Sequence, residues 1–124
     1  MTGIIPKLFV VDDSAEITDT LEACLSHKYN ICVFNNPIKA LEAYKKDSDY
    51  FALIVDINMP EMNGVELSQK IVKINPKQPI IILTGYTDPK NIAQAMKIES
   101  LVRIIKKPCD LNDLMETIEG IGFQ

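Results

Sequence analysis

The sequence has few cysteines and no long apolar stretch. Its three cysteines, Cys24, Cys32 and Cys109, are an odd number without a CxxC spacing. We therefore expect buried, reduced thiols and neither a disulfide framework nor a zinc site. No apolar run approaches the length that spans a bilayer, and the segment from Met1 to Val11 lacks the charged region and long apolar core of a signal peptide. These absences predict a soluble cytoplasmic protein without membrane contact.

Positive charge and glycine-rich motifs are also scarce. The chain carries 13 Lys and Arg against 17 Asp and Glu, for a formal net charge of -4. Direct nucleic-acid binding is therefore not expected, because phosphate contacts need a concentrated cationic surface. No GxGxxG follows the first apolar run, which argues against a dinucleotide-binding domain. The single histidine, His27, is expected at a helix end, where a cation suits the helix dipole, rather than as a phosphocarrier.

What the sequence does contain is a regular alternation of two patterns. Five continuous apolar runs, frequent in β-branched residues, predict strands buried on both faces, and helical periodicity fills the segments between them. Because 124 residues fit one domain, the alternation predicts a single, three-layer, doubly wound α/β domain with a parallel sheet. The predicted strands are Leu8-Val11, Ile31-Phe34, Phe51-Val55, Ile80-Leu83 and Leu101-Ile105.

The predicted helix starts carry local capping signals. Two of them place a capping side chain before a proline at the first helical position. Two others have the spacing of a capping box. These signals are Asn36 before Pro37, Asp88 before Pro89, and the pairs Asp13 with Glu16 and Asn63 with Glu66.

Reactive side chains stand where the apolar runs end. Asp12 and Asp13, Asp56, Thr84 and Lys107 each follow a different run, and the exits of parallel strands share one edge of a sheet. Taken singly, each has an ordinary explanation as a cap or turn residue. Neighbouring strands lie about 4.8 Å apart, however, and two carboxylates about 5 Å apart repel by roughly 3 kcal/mol. Such a cluster must protonate or recruit a cation.

A magnesium ion suits these acids, because it accepts one or two carboxylates and leaves room for a phosphate oxygen. The backbone carbonyl of Asn58 is the candidate for a further ligand. With the metal at Asp12 and Asp13, Asp56 is free to attack phosphorus as a nucleophile. Thr84 and Lys107 would then supply a hydroxyl donor and a cation for phosphoryl transfer.

Two glycines lie near these positions. Gly85 directly follows Thr84, where a missing side chain leaves space for an incoming phosphodonor, although an ordinary turn glycine is an equal alternative. Gly64 lies eight positions after Asp56. It permits a tight entry into the next helix, and we prefer this structural explanation.

From Lys7 to Ile118 the chain closely resembles the receiver domain of two-component response regulators. The resemblance rests on five elements taken together, which are far more specific than any one of them. They are the acidic pair Asp12-Asp13, Asp56 within Asp56-Ile57-Asn58-Met59-Pro60, the downstream Gly64, Thr84-Gly85, and Lys107-Pro108.

The resemblance implies a flavodoxin-like fold with strand order 2-1-3-4-5, and a single receiver domain over residues 1-124. It implies that Asp56 accepts a phosphoryl group from a sensor histidine kinase or a histidine phosphotransfer protein. Mg²⁺ would bind Asp12, Asp13, Asp56 and the carbonyl of Asn58, and Thr84 and Lys107 would contact the acyl phosphate. Such a domain catalyses its own phosphorylation and dephosphorylation and is not otherwise an enzyme.

By resemblance, output would pass through the surface of the fourth helix, fifth strand and fifth helix to a downstream effector protein or domain. The Lys107-Pro108 bond should be cis. The chain departs from the family at Ile104, where the switch usually has an aromatic residue, so aliphatic repacking or the Tyr86 region is expected to carry the coupling. Asn58 and Tyr86 would flank the phosphoryl group and limit an attacking water.

Other functions remain open at this level. A magnesium-dependent phosphohydrolase with an aspartyl-phosphate intermediate shares the nucleophile, metal and lysine, but it normally needs an acid two residues after the nucleophile, where this chain has Asn58. A degenerate, phosphorylation-independent receiver usually loses an acid or the lysine, and this chain keeps them. The sequence leaves open a phosphorylation-dependent dimer, the identity of the kinase, and whether the chain is complete or part of a larger regulator.

Overall fold

The computed structural model describes residues 5–85 and 88–122. Within these residues, five strands alternate with five helices. The strands are β1 (Lys7–Val11), β2 (Asn30–Phe34), β3 (Ala52–Asp56), β4 (Ile80–Thr84) and β5 (Leu101–Lys106). The helices are α1 (Ala15–Leu25), α2 (Pro37–Lys46), α3 (Gly64–Ile74), α4 (Pro89–Ala95) and α5 (Leu111–Ile121). All five predicted strands are therefore confirmed, with ends that differ by one residue at most.

The strands form one parallel sheet in the order β2-β1-β3-β4-β5. Side chains alternate between its faces. Phe9 and Val11 of β1 face a core cluster that includes side chains of α2, α3 and α4, whereas Leu8 and Val10 face a second cluster with side chains of α1 and α5. The predicted three-layer, doubly wound architecture and its strand order are confirmed.

The prediction of burial on both faces holds for the central strands and is wrong for the edge strands. β3 and β4 are buried along their full length, and β1 from Leu8 onward. In contrast, β2 is half-buried beyond its exposed first residue, and Val102 and Arg103 of β5 are exposed. An edge strand has a neighbour on one side alone, so the helix layers cover it less completely than the middle of the sheet.

The capping signals are confirmed at three of the four predicted helix starts. Asn36 and Asp88 cap α2 and α4 before a proline, and Asn63 forms a reciprocal capping box with Glu66 at α3. At α1 the prediction is wrong.

The N-cap of α1 is Ser14, whose hydroxyl accepts a hydrogen bond from the backbone of Ile17. Asp13 lies one residue too early to cap this helix, and its carboxylate is left for the acidic edge of the sheet. His27 directly follows the C-cap Ser26 and is exposed, as predicted for a residue at a helix end.

Two further burial predictions need correction. Cys24, Cys32 and Cys109 are free thiols as expected, but each is half-buried rather than buried. The helical periodicity likewise predicts that apolar residues of the helices face the core, but Ile38 is 39% exposed, Ile74 is 41% exposed and Met96 is 70% exposed. Ile74 is the last residue of α3 and Met96 is the C-cap of α4, so these two side chains lie where a helix ends and leaves the core. Within the described residues no helix is longer than 11 residues, so none is long enough to cross a membrane.

A buried polar pair lies at the end of the sheet away from the strand exits. The Tyr44 hydroxyl donates a 2.6 Å hydrogen bond to Oε1 of Gln78, and both side chains are fully buried. The Gln78 amide in turn donates to the carbonyls of Tyr50 and Pro79. Satisfied buried amides of this kind fix the relative position of the segments that they join.

Candidate functional site

Three acids meet at the exits of two neighbouring strands. Asp12 directly follows β1 and Asp56 is the last residue of β3, and the two strands pair side by side. Carboxylate oxygens of Asp12, Asp13 and Asp56 all lie within 4.8 Å of one another. Asp12 and Asp56 are 2% and 3% exposed, whereas Asp13 is exposed at the rim. The structure thus brings together the three acids that the sequence placed at strand exits.

A lysine from the far side of the sheet reaches the same acids. Nζ of Lys107 lies 2.9 Å from Oδ2 of Asp12 and 3.1 Å from Oδ1 of Asp56. The backbone N–H of Lys107 donates to the carbonyl of Thr84, 2.8 Å away, which extends the pairing of β4 with β5 by one residue. The Lys107-Pro108 bond is cis, as predicted. Thr84 itself is buried at the end of β4, so all five predicted side chains share one edge.

The electrostatics of the site favour the binding of a further cation. Burial raises the pKa of Asp56, and the nearby Asp12 raises it further, against the lowering effects of Lys107 and of the backbone N–H of Asn58. Burial also disfavours the ammonium of Lys107, but Asp12 and Asp56 outweigh it and raise its pKa above the ordinary value. The ammonium of Lys107 therefore neutralises only part of the negative charge of the buried carboxylates.

The donor set fits a hard divalent cation. Oδ1 of Asp56 is buried, and no hydrogen-bond donor among residues 5–85 and 88–122 meets it with good geometry. The Lys107 ammonium contacts it as an ion pair. A buried carboxylate oxygen without a hydrogen bond, beside two more carboxylates, offers the oxygen ligands that Mg²⁺ takes in proteins. Asp12, Asp13 and Asp56 are the side chains that would hold such an ion.

Asn58 and Gly64 shape the loop after β3. Asn58 is exposed, two residues past Asp56, and is the predicted source of a backbone carbonyl ligand. A Cβ on Gly64 would overlap the backbone carbonyl of Asp56 and approach Cγ1 of Val55 to 2.9 Å. Gly64 also donates its N–H to the carbonyl of Ile57, 2.9 Å away. The structural explanation of Gly64 is therefore right, and its reason is the close approach of α3 to the end of β3.

Gly85 lies at the open edge beyond Thr84. A Cβ on Gly85 would lie 3.6 Å from Cβ of Lys107, an ordinary van der Waals distance. The glycine is therefore not required by packing against Lys107, and its exposed position leaves open space beside the lysine.

Sequence reasoning missed a set of positioning contacts from the end of β2. The Asn35 amide donates to the carbonyl of Asp12 at 2.8 Å and to Oγ1 of Thr18 at 3.0 Å. The Asn36 amide donates to Oε1 of Glu61 at 3.0 Å. Adjacent asparagines after a strand signal a turn and a helix cap, and nothing in their local pattern shows contacts to two other loops.

The predicted output residues have different outcomes. Ile104 is half-buried on β5 and packs against the cluster of α2, α3 and α4. Ile104 therefore acts as an aliphatic packing residue of the core cluster. Tyr86 lies outside the described residues.

An apolar groove of about 490 Å³ borders the site between α1 and the loop from β5 to α5. Its walls include Ile17 and Leu21 of α1, Leu83, and Pro108 with Cys109. Burial raises the pKa of the Cys109 thiol, and Asp113 and Asp110 raise it further. A raised pKa disfavours the reactive thiolate form of this thiol, and Cys109 contributes its side chain to the wall of the groove.

Comparison with known proteins agrees with this architecture. The sequence model of the response regulator receiver domain matches residues 8–119. Transcriptional regulatory protein ZraR of Klebsiella oxytoca is 32% identical over 95% of this chain, which covers 26% of that protein. Transcriptional regulatory protein FixJ of Rhizobium meliloti (strain 1021) is 29% identical over 89% of the chain and 53% of its own length. The chain thus spans about a quarter to a half of these relatives.

Solved structures give the same result. A CheY-like response regulator receiver domain protein from Methanospirillum hungatei JF-1 has a TM-score of 0.88 at 26% identity, covering 94% of this chain and 93% of that one. A response regulator receiver domain protein from Clostridium thermocellum has a TM-score of 0.87 at 27% identity, with the same coverage. With the acidic edge of the sheet, these matches show that the chain belongs to the receiver domains of two-component response regulators.

Proposed function

We propose that this chain is a phosphorylation-dependent signalling switch in which Asp56 accepts a phosphoryl group. The observation that carries the proposal is the position of Asp56. It is 3% exposed, its carboxylate lies within 4.8 Å of those of Asp12 and Asp13, and Lys107 Nζ lies 3.1 Å away. A buried nucleophile that lies beside two other acids and a fixed cation is suited to receive a phosphoryl group. A structural ion pair explains this arrangement less well.

The chemistry is a transfer from nitrogen to oxygen. A carboxylate oxygen of Asp56 attacks the phosphorus of a phosphohistidine, the P–N bond breaks, and its electron pair returns to the ring nitrogen, which takes up a proton. The donor is a sensor histidine kinase or a histidine phosphotransfer protein. Lys107 and the hydroxyl of Thr84 then hold the phosphoryl oxygens at the neighbouring strand exits. Dephosphorylation is a separate step, in which water attacks the phosphorus, the P–O bond to Asp56 breaks, and inorganic phosphate leaves with the Asp56 carboxylate restored.

The ion that fits the site is Mg²⁺. Asp12, Asp13, Asp56 and the backbone carbonyl of Asn58 would hold it, and the bound ion would screen the approach of an anionic phosphoryl group to the carboxylates. This role is supported by the buried Oδ1 of Asp56, which no donor of the described residues meets with good hydrogen-bond geometry.

The surfaces around the site suggest how partners would engage. The apolar groove beside Lys107 is open to the phosphodonor. Output would run through α4, β5 and α5 to a downstream effector protein or domain, with Ile104 repacking in place of an aromatic switch. We further propose that residues 1–124 form a single receiver domain that acts in the cytoplasm without contacting nucleic acid or membrane. Phosphorylation-dependent dimerisation through the same face is compatible with this arrangement.

Incubation with a small acyl-phosphate donor and Mg²⁺ tests the proposal. The parent protein should gain an acid-stable, base-labile phosphoryl adduct in its intact mass, and chelation of Mg²⁺ should prevent it. Asp56→Asn should abolish the adduct, with Asp49→Asn as a matched control at an exposed acid outside the site. Labelling that persists in Asp56→Asn contradicts the assignment. Rapid turnover of varied phosphomonoesters would instead favour the aspartyl-phosphate phosphohydrolase.

A further inference from the structure

We propose that Asn35 and Asn36 are positioning residues that hold the two acid-bearing loops of the site in register. This inference rests on the proposed Mg²⁺ and phosphoryl chemistry for its consequence, and on side-chain contacts for its geometry. Strand β2 contributes no acid, hydroxyl or lysine to the site described above. The turn that follows it nevertheless contacts both the loop after β1 and the loop after β3.

Asn35 extends the pairing of β1 with β2 beyond the last backbone hydrogen bond. The N–H of Asp12 donates to the carbonyl of Phe34 at 3.1 Å. At the next step the side-chain amide of Asn35 takes the place of a backbone donor and reaches the carbonyl of Asp12 at 2.8 Å. The first acid of the site is therefore fixed at both its backbone N–H and its carbonyl.

The same amide of Asn35 also reaches the first turn of α1. It donates to Oγ1 of Thr18 at 3.0 Å, and this fully buried hydroxyl donates in turn to the carbonyl of Ala15 at 3.1 Å. Asp13 and Ser14 lie between the two anchored points, Asp12 and Ala15. The path of the loop from β1 to α1, and with it the direction of the Asp13 carboxylate, is therefore set from β2.

Asn36 makes the corresponding contact to the other loop. Its Oδ1 accepts from the backbone of Lys39 as the cap of α2, and its Nδ2 donates to Oε1 of Glu61 at 3.0 Å. Glu61 has φ of 72°, a left-handed conformation that is unfavourable for a residue with a side chain. A conformation of this kind persists where contacts hold it. Asn36 supplies one such contact to the loop that carries Asn58.

Both side chains act on the site through other residues, so they are the kind of outer contact that orients metal ligands. Loss of such a contact typically lowers metal affinity by about 10-fold or more. Asn35→Ala removes the donor to Asp12 and Thr18. Asn36→Asp keeps a cap oxygen for α2, because Asp caps as well as Asn, but it removes the donor and faces Glu61 with a second carboxylate. Asn30→Ala, at the other end of β2, is the matched control.

Two measurements on the full chain test the inference. The first is site-resolved amide hydrogen exchange without metal. The Ser14 amide, which donates to Oδ1 of Asp12, should exchange several-fold faster in Asn35→Ala, and the Met62 amide, which donates to the carbonyl of Pro60, should exchange faster in Asn36→Asp. Each variant should leave the other loop unchanged, and Asn30→Ala should change neither.

The second measurement is Mg²⁺ affinity by calorimetry, expected to fall about 10-fold in each variant. Parent-like exchange at both amides, or a uniform increase over the whole chain, would overturn the positioning role. Faster local exchange with parent-like Mg²⁺ affinity would also overturn it, because the loops would then move without consequence for the ligands. If the parent protein binds no Mg²⁺, the metal role in the proposed function fails, and the exchange pattern alone decides whether Asn35 and Asn36 hold the loops.

Discussion

Lys107 lies next to Asp56 in space although 50 residues separate the two in the chain, and its ammonium is 3.1 Å from the Asp56 carboxylate. A second contact, 2.9 Å to Asp12, makes this ammonium the cation that joins the two buried acids. In the metal-free protein it limits the repulsion between them. We therefore expect the group that we assign to phosphoryl binding to stabilise the metal-free fold as well.

Replacing Lys107 by methionine should destabilise the metal-free protein. Removing one partner of a buried ion pair leaves charge uncompensated, and the loss is expected to be about 3 kcal/mol in the free energy of unfolding at neutral pH. Urea denaturation with a chelator measures it. Lys106→Met is the matched control, because Lys106 is an exposed neighbour, and it should change stability by less than about 0.5 kcal/mol. Equal effects of the two substitutions would show that Lys107 does not stabilise the acids.

Asp56 should make the metal-free protein less stable as the pH rises. Its pKa in the folded protein is raised above the ordinary 3.8 by burial and by Asp12, so the folded state binds its proton more tightly than the unfolded state does. Stability from this group is then greatest below pH 3.8 and falls as the pH rises to the raised value.

The comparison that checks this is Asp56→Asn against the parent over a range of pH with a chelator. The variant should be the more stable protein at neutral pH, and the difference should shrink toward zero as the pH falls. Saturating Mg²⁺ should raise the stability of the parent protein more than that of Asp56→Asn. A variant that is less stable than the parent at neutral pH would contradict the raised pKa.

Gly64→Ala should disturb the end of β3. The added Cβ would overlap the carbonyl of Asp56, and overpacking against backbone costs about 3 kcal/mol. Thermal or urea unfolding measures the loss, and the phosphorylation assay measures the displacement of Asp56.

Gly120→Ala provides the control for that substitution. It lies in α5 with nothing within 4 Å of the added Cβ, so it should be stabilising by about 0.5–1 kcal/mol through helix propensity. Similar losses of stability at both positions would contradict the close approach of α3 to β3 as the cause of the effect at Gly64.

Tyr44→Phe should weaken the end of the sheet opposite the acids. It deletes the donor to Oε1 of Gln78 and leaves a buried acceptor without that bond, at a cost of about 1–3 kcal/mol. A double-mutant cycle with Gln78→Leu isolates the pair, because the second change removes the stranded acceptor. Additive effects would contradict direct coupling. Phosphorylation of Asp56 should continue in the folded fraction.

The sequence was sufficient for the alternation of strands and helices and for the residues at the strand exits, because burial and capping leave local patterns. Strand order came from the family resemblance, since periodicity does not specify which strands are neighbours. The Asp13 cap was predicted wrongly because Ser14, one residue later, competes for the same helix start.

The contacts of Asn35 and Asn36 could not be predicted at all. They join residues from three different loops, and each asparagine looks locally like part of a turn. The burial of β2 and β5 was overestimated for a related reason, because an apolar run does not show whether its strand is central or at an edge.

The acids and the lysine lie at or just after the ends of β1, β3 and β5, and the distance from β1 to β5 takes in every strand of the sheet except β2. No contiguous fragment that ends before Lys107 contains the assembled chemistry, and one that starts after Asp13 has lost two of its carboxylates. The phosphoryl acceptance that we propose therefore requires the chain from Asp12 to Lys107 to be present and folded. If the proposed function holds, a partly unfolded or cleaved molecule could not be phosphorylated and would give no output.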